Sequence, residues 1–241
     1  MPELLVAGTR LYYEEAGPVG GRPALLLHAA LQTADSMTPL RQILEPEGFR
    51  IALPDLRGHG RSANPSGRFS LPQLADDAEA LLRRVAFQRP VVIGYSLGGM
   101  VGMELARRGL AAALVVMASR VQPVRRASAF DPDTIARRSP AWARQLAAKH
   151  QSMAWQNLAR ALGEFLESWS GYSGAELAAI RCPVLVVQGD RDSMVPLAHG
   201  QAVAEAICGA QLRVIPHAGH SELLYRPDAL QSVVEFLRRL P

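Results

Sequence analysis

Short apolar runs punctuate the chain: "PALLLH", "FRIALPD", "PVVIGYS", "AALVVMAS", "CPVLVVQGD" and "AQLRVIP". Most are too continuous for a strand with one wet face, so they predict a sheet buried on both sides, as parallel sheets are. Between them lie segments with apolar residues at helical spacing: "MTPLRQILEPEG", "SLPQLADDAEALLRRVAF", "LGGMVGMELARRG", "LAHGQAVAEAICG" and "PDALQSVVEFLRRL". Ser70 ahead of Pro72 marks a helix start, and Gly109 a helix end. Ahead of the series, "ELLVAG" and "TRLYYEEAG" read as a hairpin with Gly8 and Thr9 at its turn. Strand-helix alternation predicts an α/β fold, a mostly parallel doubly wound sheet with right-handed crossovers.

One interval breaks the rhythm. From Arg120 to Arg181 no strand-like run occurs and the pattern is helical, with Trp142, Trp155, Phe165 and Trp169 spread through it. Residues 120–181 are therefore expected to be an inserted helical cap, and 1–119 with 182–241 the core. Aromatic residues at helical spacing serve a plain core or a pocket wall, and the spacing alone allows either.

The 241 residues are 49% hydrophobic and 20% charged, ample for one large core. No apolar run approaches the ~20 residues of a membrane span, and the start lacks the pattern of a secretory signal, so no membrane partner is expected. Cys182 and Cys208 suit a reducing compartment better than a disulfide framework, and the expected location is cytoplasmic. The net charge of +4 comes from scattered arginine pairs, with no basic block interleaved with aromatics, which argues against nucleic acid. Lys149 is the only lysine. The sequence sets no oligomeric state.

The strongest motif is "VVIGYSLGGM", in which Gly94, Ser96 and Gly98 fit G-x-S-x-G between a valine-rich strand and a helix. A nucleophile there must stand clear of the sheet, so Ser96 is expected at positive φ, with Gly94 and Gly98 removing side chains that would collide. The following helix points its amino end at the site, where free N–H groups favour negative charge. Leu97 N–H is the natural oxyanion donor.

A serine needs an imidazole to take its proton, and the imidazole needs an acid to fix its tautomer. His220, in "VIPHAGHSELL", lies between the last strand and the last helix, and so reaches the sheet edge where Ser96 stands. His217 is its rival, but sits at the strand's end and is expected to point along the surface. His59, His150 and His199 read as structural or exposed. The loop after "CPVLVVQG" offers Asp190 and Asp192; the outer one, Asp192, has the easier reach, and Asp190 suits backbone amides of the turn. The loop after "AALVVMAS" offers Ser119 and Arg120 but no carboxylate.

Together "HAAL", "DLRGHGRS", "GYSLGG", "GDRDSMVP" and "HAGH" resemble the α/β-hydrolase superfamily over essentially the whole chain. The order Ser96, Asp192, His220 is that family's order, and its acid falls on the second aspartate of "GDRD". The resemblance places a second oxyanion donor on Ala30 N–H and makes His28 a structural brace. The family commonly has glycine after this histidine; the chain has Ala29, which resists positive φ, so "HAAL" must take a shape alanine tolerates or store strain.

The resemblance also excludes chemistries. Haloalkane dehalogenases and epoxide hydrolases of this fold carry aspartate at position 96, and dienelactone hydrolases cysteine. Hydroxynitrile lyases rely on a lysine near the site, and Lys149 falls in the expected cap. What it implies is acyl transfer to water by a serine hydrolase acting on small to medium carboxylic esters, with no metal and no organic cofactor. Lactonase, enol-lactonase and cofactor-free perhydrolase activities share the triad, and a non-catalytic hydrolase-fold ligand-binding protein is the rival of another class. Arg120, Arg125, Arg126 and Arg144 could bind a substrate carboxylate, as enol-lactonases or the menaquinone-pathway enzyme of this fold need, although surface solvation explains them as well. Met100 stands where the latter often has arginine.

Overall fold

The computed structural model describes residues 3–124 and 128–240. Eight strands form one sheet: β1 (Glu3–Val6), β2 (Thr9–Ala16), β3 (Arg22–Leu27), β4 (Phe49–Pro54), β5 (Val91–Tyr95), β6 (Ala113–Met117), β7 (Val184–Gly189) and β8 (Gln211–Ile215). Their order is β1-β2-β4-β3-β5-β6-β7-β8. β1 and β2 pair antiparallel, β2 pairs antiparallel with β4, and β3 to β8 are joined through parallel ladders. The six apolar runs are these parallel strands, and the architecture is the α/β-hydrolase fold.

The side-chain period of two divides the core. Val92, Leu114, Val116 and Val186 face α2 (Leu71–Arg84) and α3 (Leu97–Arg107). Ile93, Val115, Met117 and Val187 face α1 (Thr38–Leu44) and α9 (Pro227–Arg238). Ser70 caps α2, its side chain accepting from Gln73 N at 3.3 Å, and Gly109 follows α3 at φ 76°.

Two details differ from the expected pattern. The hairpin closes one residue earlier: Val6 pairs with Thr9, so Ala7 and Gly8 form the turn at φ 45° and 77°. Two successive left-handed residues match the twist of a hairpin, and Thr9 joins the ladder. The run "AQLRVIP" is not doubly buried: β8 is the outer strand, with Ile215 inside and Arg213 and Val214 exposed. An edge strand has no neighbour to cover it, whatever its composition.

Between β6 and β7 stand α4 (Pro132–Arg138), α5 (Pro140–Lys149), α6 (Trp155–Ser168) and α7 (Gly174–Ala178), with no strand among the described residues. Asp131 and Ser139 cap α4 and α5, and Ser173 with Glu176 forms a capping box on α7. Leu146, Leu158, Leu162, Leu166 and Leu177 join the same apolar cluster as α2 and α3, so these helices share the core of the sheet. α8 (Leu197–Ala206) lies after β7. Among the described residues no helix is long and apolar enough to cross a membrane.

Candidate active site

Ser96 occupies the turn between β5 and α3 at φ 52°, ψ −111°. This conformation is costly for a residue with a Cβ, and the surroundings over-determine it. Ser96 N donates to Met117 O at 2.8 Å, and Ser96 O accepts from Gly99 N at 2.9 Å and Ser119 Oγ at 2.8 Å. The two flanking glycines are required by close approach: a Cβ on Gly94 would lie 2.2 Å from Gly98 O, and one on Gly98 2.1 Å from Leu27 O.

The loops after β7 and β8 bring Asp192 and His220 to this serine. His220 Nδ1 donates to Asp192 Oδ2 at 2.7 Å, which leaves Nε2 as an acceptor, 3.2 Å from Ser96 Oγ. Asp192 is buried, and its Oδ1 also accepts from Met194 N at 2.9 Å and Val195 N at 2.7 Å. The amides of this turn are thus taken by Asp192, where the sequence suggested Asp190; Asp190 is exposed. His217 is exposed as well, at φ 58°.

Ala30 and Leu97 line one small recess with Ser96, His220 and Arg120. Their N–H groups donate to no acceptor among the described residues. A hydroxyl bonded to an imidazole that is itself oriented by a buried carboxylate can be deprotonated as it attacks, and two free amides beside it can receive an oxyanion.

His28 is fully buried and braces the neighbouring loop. Its Nε2 accepts from Leu56 N at 2.8 Å and its Nδ1 donates to Ala29 O at 2.7 Å. Burial lowers its pKa to about 4, against a weaker upward pull from Asp55. The left-handed residue of "HAAL" is Leu31, at φ 60°, so Ala29 and Ala30 are spared positive φ. Asp55, from "DLRGHGRS", fixes the next turn by accepting from Ala34 N at 2.8 Å and Arg61 N at 3.0 Å.

Some residues at the site were not singled out in the sequence. Tyr95 donates its hydroxyl to His220 O and stacks on the imidazole, ring centroids 5.5 Å apart. Buried Gln188 donates Nε2 to Asp192 Oδ2 at 3.2 Å and to Val195 O at 2.8 Å. A glutamine ending the run "VLVVQ" was the available signal, because a buried amide needs partners. Arg120 donates Nη2 to Met194 O at 2.7 Å. Arg144 is exposed, and Arg125 and Arg126 lie outside the described residues.

Ser96 and His220 open onto a cavity of about 550 Å³, within the range of small-molecule sites. Phe130, Trp142, Met194, Leu224 and Tyr225 supply apolar wall, and Gln145 and Lys149 polar wall. Of the three tryptophans only Trp142 faces this cavity; Trp155 lies in the core and Trp169 packs edge-on against Tyr172. Lys149, though on the helical interval, therefore shares a cavity with Ser96, and its position in sequence does not set it apart from the site. Among the described residues no cluster of three His, Cys, Asp or Glu side chains is placed to hold a metal ion.

A model of the alpha/beta hydrolase family matches residues 24–233. The chain is 27% identical to 3-oxoadipate enol-lactonase 2 of Acinetobacter baylyi, over 89% of this chain and 88% of the relative. It is 25% identical to a non-heme haloperoxidase of Rhodococcus erythropolis, over 93% and 94%. Among solved structures, a thermophilic esterase from Thermogutta terrifontis superposes with a TM-score of 0.80 at 26% identity, covering 99% of this chain and 98% of the esterase.

Proposed function

The chain belongs to the alpha/beta hydrolase family, and within it we propose a serine hydrolase that cleaves small to medium carboxylic esters through Ser96, His220 and Asp192. The observation that carries this reading is the unbroken chain of contacts from Ser96 Oγ through His220 to buried Asp192, opening on a cavity of small-molecule size. Helices α4 to α7 act as a cap over that cavity, contributing Trp142, Gln145 and Lys149 to its wall. We place the protein in the cytoplasm on its two unpaired thiols, Cys182 and Cys208.

In the proposed reaction Ser96 Oγ attacks the ester carbonyl as its proton passes to His220 Nε2. The carbonyl oxygen becomes an oxyanion held by Ala30 and Leu97 N–H, with the amino end of α3 adding its dipole. The intermediate collapses, and the alcohol leaves with the proton from Nε2. Water then attacks the acyl-enzyme, giving its proton to Nε2; collapse releases the carboxylic acid and returns the proton to Ser96. Asp192 holds the tautomer and stabilises the imidazolium throughout.

A chain-length panel of p-nitrophenyl esters and lactones tests this reading, with fluorophosphonate labelling to locate the nucleophile. The expected result is one adduct, on Ser96, and ester turnover that Ser96→Ala abolishes. A wild-type protein with neither adduct nor turnover is a ligand-binding member of the fold. Lactones belong in the panel because one relative is an enol-lactonase, and hydrogen peroxide as acyl acceptor because another is a haloperoxidase.

A further inference from the structure

The cavity beside Ser96 is electrostatically one-sided. α5 turns Trp142, Gln145 and Lys149 toward it at intervals of three and four residues, the spacing of one helix face. Lys149 is the only lysine among 26 basic side chains, and it is the one Lys or Arg among the described residues of the cavity wall, which include no carboxylate. Arginines elsewhere are repeatedly paired: Arg41 with Glu45, Arg50 with Glu15, Arg61 with Asp55, Arg108 with Asp76. Lys149 has no acidic partner among the described residues, and the side-chain amides of Gln145 and Gln32, on the same wall, donate to no protein acceptor among them. The rival cation, Arg120, is already engaged: it donates to Met194 O and Gln122 O and faces the Asp192 carboxylate.

We infer that the substrate cleaved at Ser96 carries a carboxylate, received by the Lys149 ammonium with the amide of Gln145 beside it. This rests on Ser96 being the nucleophile. An exposed ion pair is worth little because water screens both charges. Lys149 and Gln145 are exposed on the cavity wall, and a substrate seated against that wall covers part of both, so that the pair is partly desolvated and its charge-assisted hydrogen bonds strengthen. Lysine suits this role, being a compact charge on a flexible stem that can follow carboxylates at different distances from the scissile bond.

The test compares isosteres that differ in one charge. p-Nitrophenyl hydrogen adipate against p-nitrophenyl hexanoate places the carboxylate on the acyl side, and 4-acetoxybutanoate against butyl acetate on the alcohol side. In at least one pair the wild type should favour the anion in kcat/KM by about 10- to 100-fold. Lys149→Gln should erase that preference through KM, Lys149→Arg should keep part of it, and Arg144→Gln, on the same helix but outside the cavity wall, should leave it intact. Equal treatment of both members of both pairs, or a preference that survives Lys149→Gln, overturns the inference. A second arm uses Ser96→Ala and reads tryptophan fluorescence, Trp142 being in the wall. Monomethyl adipate should bind more tightly than methyl hexanoate, and Lys149→Gln in that background should remove the difference. Were no ester turned over by the wild type, the hydrolase reading would fall, while this binding arm would still decide the role of Lys149.

Discussion

Two groups of imidazoles meet near the end of β3 and β5, and they are built for opposite ends. His220 spends one nitrogen on the Asp192 carboxylate and turns the other to Ser96 and open cavity. His28, His59 and His150 are buried, with ring centroids 5.0 and 5.8 Å apart along the series, and every hydrogen bond their nitrogens make is to backbone. His28 ties Leu56 to Ala29, His59 bonds Arg57 O, and His150 accepts from Gly60 N and contacts Leu31 O. The first arrangement leaves a basic nitrogen free to move a proton. The second holds neutral rings that fix loop shape. Since His150 closes α5, the same trio also pins the helical interval to the turns after β3 and β4.

The contrast breaks most visibly at the serine. Ser96→Ala and His220→Ala should each lower ester kcat by about 10⁴- to 10⁶-fold, because the three groups act as a unit. Thermal unfolding should change little. A variant of either residue that kept a tenth of wild-type turnover would place the reaction elsewhere in the cavity. The next largest effect belongs to the acid: Asp192→Asn should cost about 10³- to 10⁴-fold by favouring the wrong tautomer. Asp190→Asn, at an exposed position, should stay within a few-fold of wild type. The opposite ranking in a steady-state assay would reassign the partner of His220.

How much of this was legible in the sequence follows from what each signal reports. Continuous apolar runs report burial on both faces, so β3 to β7 were readable, and G-x-S-x-G between strand and helix put Ser96 at its turn. The same signal misjudged "AQLRVIP", because composition does not say whether a strand has a neighbour. Chain order and loop position named His220 and Asp192. They could not reveal Tyr95, whose contact with His220 depends on how two distant loops pack, whereas Gln188 bonds within its own loop and left a signal in the glutamine that ends "VLVVQ". Nor could they tell that left-handed strain in "HAAL" falls on Leu31, whose carbonyl meets His150, 119 residues further along the chain. The helical pattern of 120–181 predicted helices, but not which of its tryptophans would face the cavity.

A smaller effect sharpens the other half of the comparison. Burial depresses the pKa of His28 to about 4, and burial lowers those of His59 and His150 too, although Asp55 pulls His28 and His150 upward. In the window between that depressed value and the unfolded value of 6.5, the unfolded chain binds more protons than the native protein, so stability falls as pH falls. His28 alone should remove about 3 kcal/mol across this window, with His59 and His150 acting in the same direction. Urea unfolding at a series of pH values measures it. A stability that stays level from pH 7 to pH 4.5 would mean that the buried rings take up protons in the native protein as readily as in the unfolded chain.

The smallest effect is the most discriminating, because it changes sign. His59 Nε2 is buried with no hydrogen-bond partner among the described residues, while Nδ1 bonds Arg57 O at 2.9 Å. Its ring lies edge-on to His28, Phe69 and His150, so an aromatic ring without nitrogens can keep those contacts. His59→Phe loses one neutral hydrogen bond, worth about 1 kcal/mol, and relieves one desolvated orphan nitrogen of similar cost. At pH 8 the two changes nearly cancel, and the variant should unfold within about 1 kcal/mol of wild type. At pH 5 the wild type carries a further penalty, since unfolding lets His59 take up a proton that the buried ring refuses. Phenylalanine has no proton to gain, so the variant becomes the more stable protein there. A His59→Phe protein that lost stability equally at pH 8 and pH 5 would show that His59 braces through its hydrogen bond alone, and that the neutrality of the buried rings plays no part.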